Sequence, residues 1–183
     1  MIAAIPTRYK GVQMRSRLKA RWAAFFDLLD WRWEYEPFDR NGWIPDFALL
    51  GAKTVLVEVK PINDFRCLLA RETAIEVSNN IQGFEEGLIV SWFLPEIELE
   101  PYKDICIGWL DDGECGFEEA AFGHWTDAEN LGFCHSVGSF RDRISGNYDG
   151  GCHGDGKLFH QVNDIVRTKW TQAGNIVQWK APT

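Results

Sequence analysis

The sequence predicts an α/β protein in which helices cover a sheet, and three observations lead to this prediction. An apolar stripe at helical spacing lies near the N-terminus, several short segments alternate between apolar and polar residues, and the two kinds of segment are interspersed. The order through the first half is helix, three strands, helix, strand, which leaves an α+β arrangement open. The 183 residues suffice to bury a core without disulfides.

The first predicted element is a helix over Arg15–Leu29. Five large apolar residues recur there at intervals of three and four, which places them on one helical face. They are Leu18, Trp22, Phe25, Phe26 and Leu29.

Three strands and a second helix are predicted next. The third strand has valines on one face and Leu56, Glu58 and Lys60 on the other, a period of two. Asn63 or Asp64 is a typical N-cap for the helix that follows, which we expect to end near Ser78. The predicted strands are Trp33–Glu36, Trp43–Leu50, Thr54–Lys60 and, after the helix, Leu88–Leu94.

The second half is less regular. Asp104–Leu110 alternates as a strand, and residues 113–156 are rich in glycine without a clear period, which predicts long loops or a small inserted subdomain. Lys157–Ala173 returns to helical spacing with Gly174 at the C′ position. Residues 176–179 are predicted to form a short final strand.

The formal charge of −8 is distributed unevenly along the chain. Six basic residues and no acid lie within residues 1–21, whereas residues 85–119 contain eleven acids and one base. Each segment is either a solvated face or, for the basic arm, a contact surface for phosphates. In the second case the DNA-binding residues are Arg8, Lys10, Arg15, Arg17 and Arg21.

Compartment and membrane class follow from two further observations. No apolar run approaches the roughly 18 residues that a membrane span requires, so no membrane partner is expected. The five cysteines are odd in number and irregularly spaced, which argues against a disulfide framework and favours a reducing, cytoplasmic location.

Asp46 and Glu58 are predicted to lie side by side on neighbouring strands. If residues 51–53 form a three-residue hairpin loop, Leu50 lies opposite Thr54, and counting back places Asp46 opposite Glu58. Cβ atoms in such positions are about 5 Å apart. Two carboxylates at that distance repel each other unless a cation lies between them, and a hard divalent cation prefers oxygen ligands.

Lys60 lies two residues beyond Glu58 and therefore on the same strand face. Its ammonium group can orient or deprotonate a water molecule, or stabilise a developing negative charge. The three side chains suit metal-assisted hydrolysis of a phosphodiester. The alternative is that they are ordinary polar residues on a solvated strand.

At these residues the sequence resembles the PD-(D/E)XK, or restriction-endonuclease-like, nuclease superfamily. Pro45-Asp46 followed by eleven residues and Glu58-Val59-Lys60 matches its signature, and the element order matches its αβββαβ mixed-sheet core. Residues 15–61 are similar to small nucleases of phages and mobile elements and to the nuclease subunit of Tn7-like transposases. The whole match covers roughly residues 15–95.

The resemblance implies a DNA endonuclease that uses Mg²⁺ or Mn²⁺. Asp46 and Glu58 would be metal ligands with the Val59 carbonyl as a third, and Lys60 would position the attacking water. Many members of the superfamily carry a glutamate on the first helix, where this sequence has Lys19. Three consequences of that difference are open. The enzyme uses one metal ion, Glu36 (or less favourably Glu34) replaces the missing ligand, or the activity is reduced.

The domain organisation that follows is a nuclease-like core with its basic arm over 1–95 and an acidic, loop-rich extension packed on it over 96–183, ending in a helix. Cysteines and histidines are numerous in the extension, but it contains no Cys-x-x-Cys pair, so the spacing is a poor signal for zinc. Zinc binding there is the less favoured alternative to free thiols and solvent-exposed histidines. Arg71 and Gln82 on or after the second helix are expected to be solvent-exposed. Homodimerisation or a partner protein stays open.

The alternative function is a catalytically weakened protein on the same fold. It would bind DNA or a host protein, as an inhibitor of bacterial defence or as a subunit of a recombination or transposition complex. Lys19 and the acidic segment motivate this alternative, because an acidic surface can dock a basic partner.

Overall fold

The computed structural model describes residues 4–83, 85–99, 102–111, 113, 116–125, 130–136, 140–148, 158–159 and 162–178. Three helices lie within them: α1 (Arg17–Leu28), α2 (Leu68–Asn80) and α3 (Asn163–Ile176). The strands within these ranges are β1 (Thr7–Tyr9), β2 (Val12–Met14), β3 (Trp33–Tyr35), β4 (Phe47–Leu50), β5 (Thr54–Val59), β6 (Glu85–Val90), β7 (Glu96–Leu99), β8 (Tyr102–Asp111), β9 (Glu118–Trp125), β10 (Gly132–His135) and β11 (Leu158–Phe159).

One mixed sheet of nine strands organises the fold. Its main order is β10-β9-β8-β6-β5-β4-β3, with β7 paired to β8 and β11 paired to β9. β5 and β6 run parallel, and the other strand pairs of the described residues are antiparallel. The prediction of an α/β protein with a mixed sheet and helical cover is confirmed at this level.

α1 and α3 cover one face of the sheet. Ser16 caps α1 by accepting a hydrogen bond from the backbone N–H of Lys19 at 3.2 Å. Four residues of the predicted apolar stripe are buried and Leu18 is partly buried. The Trp22 ring also contacts the Trp170 ring of α3, with centroids 4.7 Å apart. The helix starts two residues later and ends one residue earlier than predicted.

α2 covers the opposite face, where Ala70 and Val77 pack with Leu56 of β5. The predicted cap at Asn63 or Asp64 is wrong, because the Asp64 carboxylate accepts the N–H of Arg66 at 2.9 Å and holds a turn instead. The helix begins after Cys67 and extends to Asn80.

The hairpin of β4 and β5 has the predicted register. Leu50 lies opposite Thr54 and Phe47 opposite Val57, so the loop is residues 51–53 as expected. β4 is shorter than the predicted Trp43–Leu50 because Arg40 and Trp43 pair across a tight turn just before it.

Several predictions for the rest of the sheet are wrong. Residues 113–156 are not only loops or a separate subdomain, since β9 and β10 within them extend the main sheet beyond β8. β6 covers Glu85–Val90 rather than Leu88–Leu94. The basic arm contains a hairpin, β1 and β2, which the sequence pattern did not indicate.

The C-terminal helix also differs from its prediction. α3 starts at Asn163 and continues through Gly174 to Ile176, so Gly174 is not a C′ residue and residues 176–178 do not form a strand. Trp179, the predicted end of that strand, lies outside the described residues. A Cβ at Gly174 would lie 3.3 Å from the Nε of Arg21, so the glycine provides space for this side chain.

Strands from both predicted parts of the chain share the sheet. β8 pairs with β6 across the boundary at residue 95, and α3 packs against α1. The two-part division stays a prediction.

Candidate active site

The predicted catalytic residues lie together where β5 ends. Glu58 belongs to β5, Lys60 follows it, and Asp46 immediately precedes β4 on the neighbouring position of the hairpin. The N–H of Lys60 donates to the carbonyl of Val90 at 3.0 Å, which fixes the end of β5 against β6. Asp46 and Glu58 are only 3% and 5% exposed, which is inconsistent with ordinary polar residues on a solvated strand.

Asp46 is bound through both carboxylate oxygens. Oδ2 accepts the N–H of Val59 at 2.8 Å, and Oδ1 forms an ion pair with the ammonium group of Lys19. Burial raises the pKa of Asp46, although the Lys19 charge and the two hydrogen bonds act in the opposite direction. Lys19 therefore points from α1 to the same edge of the sheet as the carboxylates.

Glu58 is bound through one oxygen only. Oε1 lies 2.8 Å from the ammonium nitrogen of Lys60, whereas Oε2 is buried and has no hydrogen-bond partner among the described residues. Burial, with the negative charge of Asp46, raises the pKa of Glu58 to about 7. Burial lowers the pKa of Lys60, but the hydrogen bond and charge of Glu58 outweigh it and the net shift is upward.

The four side chains form a charge-balanced cluster of two carboxylates and two ammonium groups, Asp46, Glu58, Lys19 and Lys60. The free Oε2 of Glu58 beside Asp46 fits one hard divalent cation, because an unpartnered buried carboxylate oxygen is costly and oxygen ligands suit such a cation. The described residues contain no group of three or more acidic, cysteine or histidine side chains placed for a metal ion. A second cation would lie close to the positive charge of Lys19.

Glu36, the predicted substitute ligand, contacts Asp46 through a backbone hydrogen bond. Its N–H donates to the carbonyl of Asp46 at 3.1 Å, while its carboxylate forms an ion pair with Arg15 at 2.6 Å. Its φ angle of 46° is left-handed, a conformation that costs a non-glycine residue roughly 1–3 kcal/mol. The charge of Arg15 thus holds the Glu36 carboxylate, although Oε1 is buried without a hydrogen bond among the described residues.

Two residues near the site were not given a role in it from the sequence. Tyr35 accepts the N–H of Arg15 at 3.0 Å, and burial, together with Glu36 and Asp46, raises the pKa of Tyr35 to about 12. Counting the register from β4 to β3 places Tyr35 opposite Phe47, which is the signal that would have found it. Glu76 of α2 contributes to the raised pKa of Lys60.

The five predicted DNA-binding residues do not form a single face. Lys10 forms an ion pair with Asp27 at 2.9 Å, and Arg15 is held by Glu36. Arg8 is exposed on β1, whereas the remaining two, Arg17 and Arg21, line a groove between α1 and α3.

The remaining candidates from the sequence are two polar residues on or after α2 and the cysteines and histidines of the extension. Arg71 and Gln82 are exposed, as expected. Cys134 and His135 are buried on β10. The remaining zinc candidates of the extension include four residues outside the described ranges, Cys115, Cys152, His153 and His160.

Comparison of the chain with protein-family models, with curated proteins and with solved structures finds no match. Among the described residues, no helix has both the length and the apolar character that crossing a membrane requires.

Proposed function

We propose that the protein is a metal-dependent DNA endonuclease on a restriction-endonuclease-like core, encoded by a phage or mobile element and acting in the cytoplasm. One observation carries the proposal: Asp46 and Glu58 are buried together in the expected register, with Lys60 bonded to Glu58. Buried carboxylates whose pKa is shifted by burial and by a neighbouring charge are typical of functional sites.

In this proposal Asp46, Glu58 and the Val59 carbonyl hold Mg²⁺ or Mn²⁺. The cation supplies Lewis-acid stabilisation of the phosphodiester oxygens and lowers the pKa of a bound water. Lys60 holds the attacking water in place by donating hydrogen bonds, for which its raised pKa keeps it protonated. The Val59 N–H orients Asp46.

The test is cleavage of plasmid and linear DNA by purified protein with Mg²⁺ or Mn²⁺. Asp46→Asn and Lys60→Met should each abolish cleavage, whereas Glu98→Gln, which removes an exposed carboxylate of β7 paired with Lys103, should leave it unchanged. Thermal unfolding of each variant establishes that it is folded. Cleavage that survives both substitutions would refute the site assignment.

A second function is favoured by the ion pair between Lys19 and Asp46. An internal ammonium group at this carboxylate reduces the need for a metal, which suits a catalytically weakened protein that binds DNA or a host protein as a defence inhibitor or as a recombination or transposition subunit. DNA or protein binding without metal uptake or cleavage would support it. Cleavage that appears only with a partner protein would assign the subunit role.

A further inference from the structure

A groove of about 470 Å³ lies between α1 and α3, away from the carboxylates. Its lining contains two guanidinium groups, Arg17 and Arg21, and the side-chain amides of Asn175 and Gln178. No acidic residue is among the described residues that line it, although the chain as a whole carries a charge of −8. The local charge therefore favours an anion.

Arg21 is held rigidly at the wall of this groove. Its Nη2 donates to the carbonyl of Trp170 at 3.1 Å, and its guanidinium carbon lies 3.7 Å from the centroid of the Trp170 ring. Gly174 leaves the space that the guanidinium occupies. The Nε of Arg21 is nevertheless buried without a hydrogen-bond partner among the described residues. Because this Nε lies against Gly174 and has almost no accessible surface, a ligand in the groove would contact the guanidinium through its other N–H groups.

Arg17 precedes Arg21 by one helical turn, so the two side chains share a face of α1. Its Nε is also buried and unpartnered within the described part of the chain, where Arg17 forms no ion pair. Arg15 and Arg40, by contrast, are each paired with a carboxylate. Like charges one turn apart destabilise a helix unless an anion lies between them.

We propose that this groove binds a phosphate group between Arg17 and Arg21, with the amides of Asn175 and Gln178 at its rim. Guanidinium groups match phosphate because their parallel N–H donors reach two oxygens at once. The phosphate is either free or part of a nucleic-acid backbone, and both sources present the same oxygens. The site lies on different residues from the carboxylate cluster, so the proposal does not rest on nuclease activity.

Arg17→Gln tests the proposal, because Arg17 makes no side-chain hydrogen bond in the described structure and its loss should leave the fold intact. Arg71→Gln is the matched control, an exposed arginine on α2 at the opposite face of the sheet. The probes are inorganic phosphate, followed by calorimetry, and a fluorescent DNA duplex, followed by anisotropy in the Asp46→Asn background so that nothing is cut.

We expect Arg17→Gln to weaken binding of one probe at least tenfold and Arg71→Gln to change it less than twofold. If DNA is the ligand, the slope of log K against log salt should also fall by about 0.9, the value for one phosphate contact. Loss of phosphate binding alone assigns a free phosphate, and loss of DNA binding assigns the backbone. Equal effects of the two substitutions, or no binding of either probe, would overturn the proposal. Both arms are independent of cleavage, so a failure of the nuclease proposal is seen separately.

Discussion

Replacing Lys19 by glutamine should strengthen the binding of a divalent cation at the carboxylates. The side chains of Lys19 and Asp46 are 16% and 4% exposed, so solvent screens their ion pair little. Two unit charges about 4 Å apart interact by about 4 kcal/mol at an effective dielectric constant of 20, and a divalent cation doubles this repulsion to about 8 kcal/mol. This is an upper bound, because Lys19 can move towards water.

If one third of that repulsion acts in the wild type, Lys19→Gln should make the binding free energy of the cation more favourable by about 3 kcal/mol. This corresponds to a roughly hundredfold lower Kd. The assay is titration of chelator-stripped protein with Mn²⁺, followed by calorimetry. The loss of Lys19 also leaves Asp46 buried without its counter-charge, so the metal-free variant should be less stable than the wild type. Mn²⁺ should accordingly raise its melting temperature by more than it raises that of the wild type.

Lys53→Gln is the control for a general change in charge. Lys53 precedes β5 and lies 4.0 Å from Glu86, and the five residues to Glu58 span roughly 16 Å along the strand. Its loss should leave Mn²⁺ affinity nearly unchanged. Equal or weaker Mn²⁺ binding by folded Lys19→Gln would refute the reasoning, since Lys19 would then not oppose the cation.

Two further predictions concern buried charges. The folded state holds the proton of Glu58 more tightly than the unfolded chain, because its pKa rises from 4.5 to about 7. The free energy of unfolding should therefore fall by at most about 3 kcal/mol as pH rises through this window, and Glu58→Gln should remove that slope in denaturant titrations with chelator. Glu86→Gln leaves the buried Arg143 guanidinium without its carboxylate partner at 2.7 Å and should cost about 3–5 kcal/mol, whereas Glu96→Gln, in an exposed pair with Arg167, should cost under about 1 kcal/mol. Urea unfolding compares the two, and equal losses would contradict the assigned burial.

The sequence predicts best the elements whose apolar residues recur with a clear period. The stripe of α1 and the alternation of β5 have this property, and the register of the β4–β5 hairpin then follows from its loop length. Asp46 and Glu58 could therefore be placed together before any coordinates were known.

Elements without a clear apolar period, or that depend on a distant contact, could not be predicted. β9 and β10 are buried over most of their length and contain small residues such as Ala120 and Ala121, so no period distinguishes an inner from an outer face. The β1–β2 hairpin turns at Lys10 and Gly11, both with positive φ, and lysine is not a typical residue there. The sequence pattern places Gly174 at a helix end. In the structure it lies within α3, where the missing side chain leaves space for Arg21 of α1.

The place of β6 in the sheet has a consequence for synthesis of the chain. β6 bonds to β5 on one side and to β8 on the other, with Leu88, Ile89 and Val90 fully buried. Until β8 leaves the ribosome, the nascent chain carries an apolar strand with one open edge, which is a template for pairing with other chains. Slow emergence of residues 91–111 from the ribosome would prolong that exposure and favour aggregation over folding.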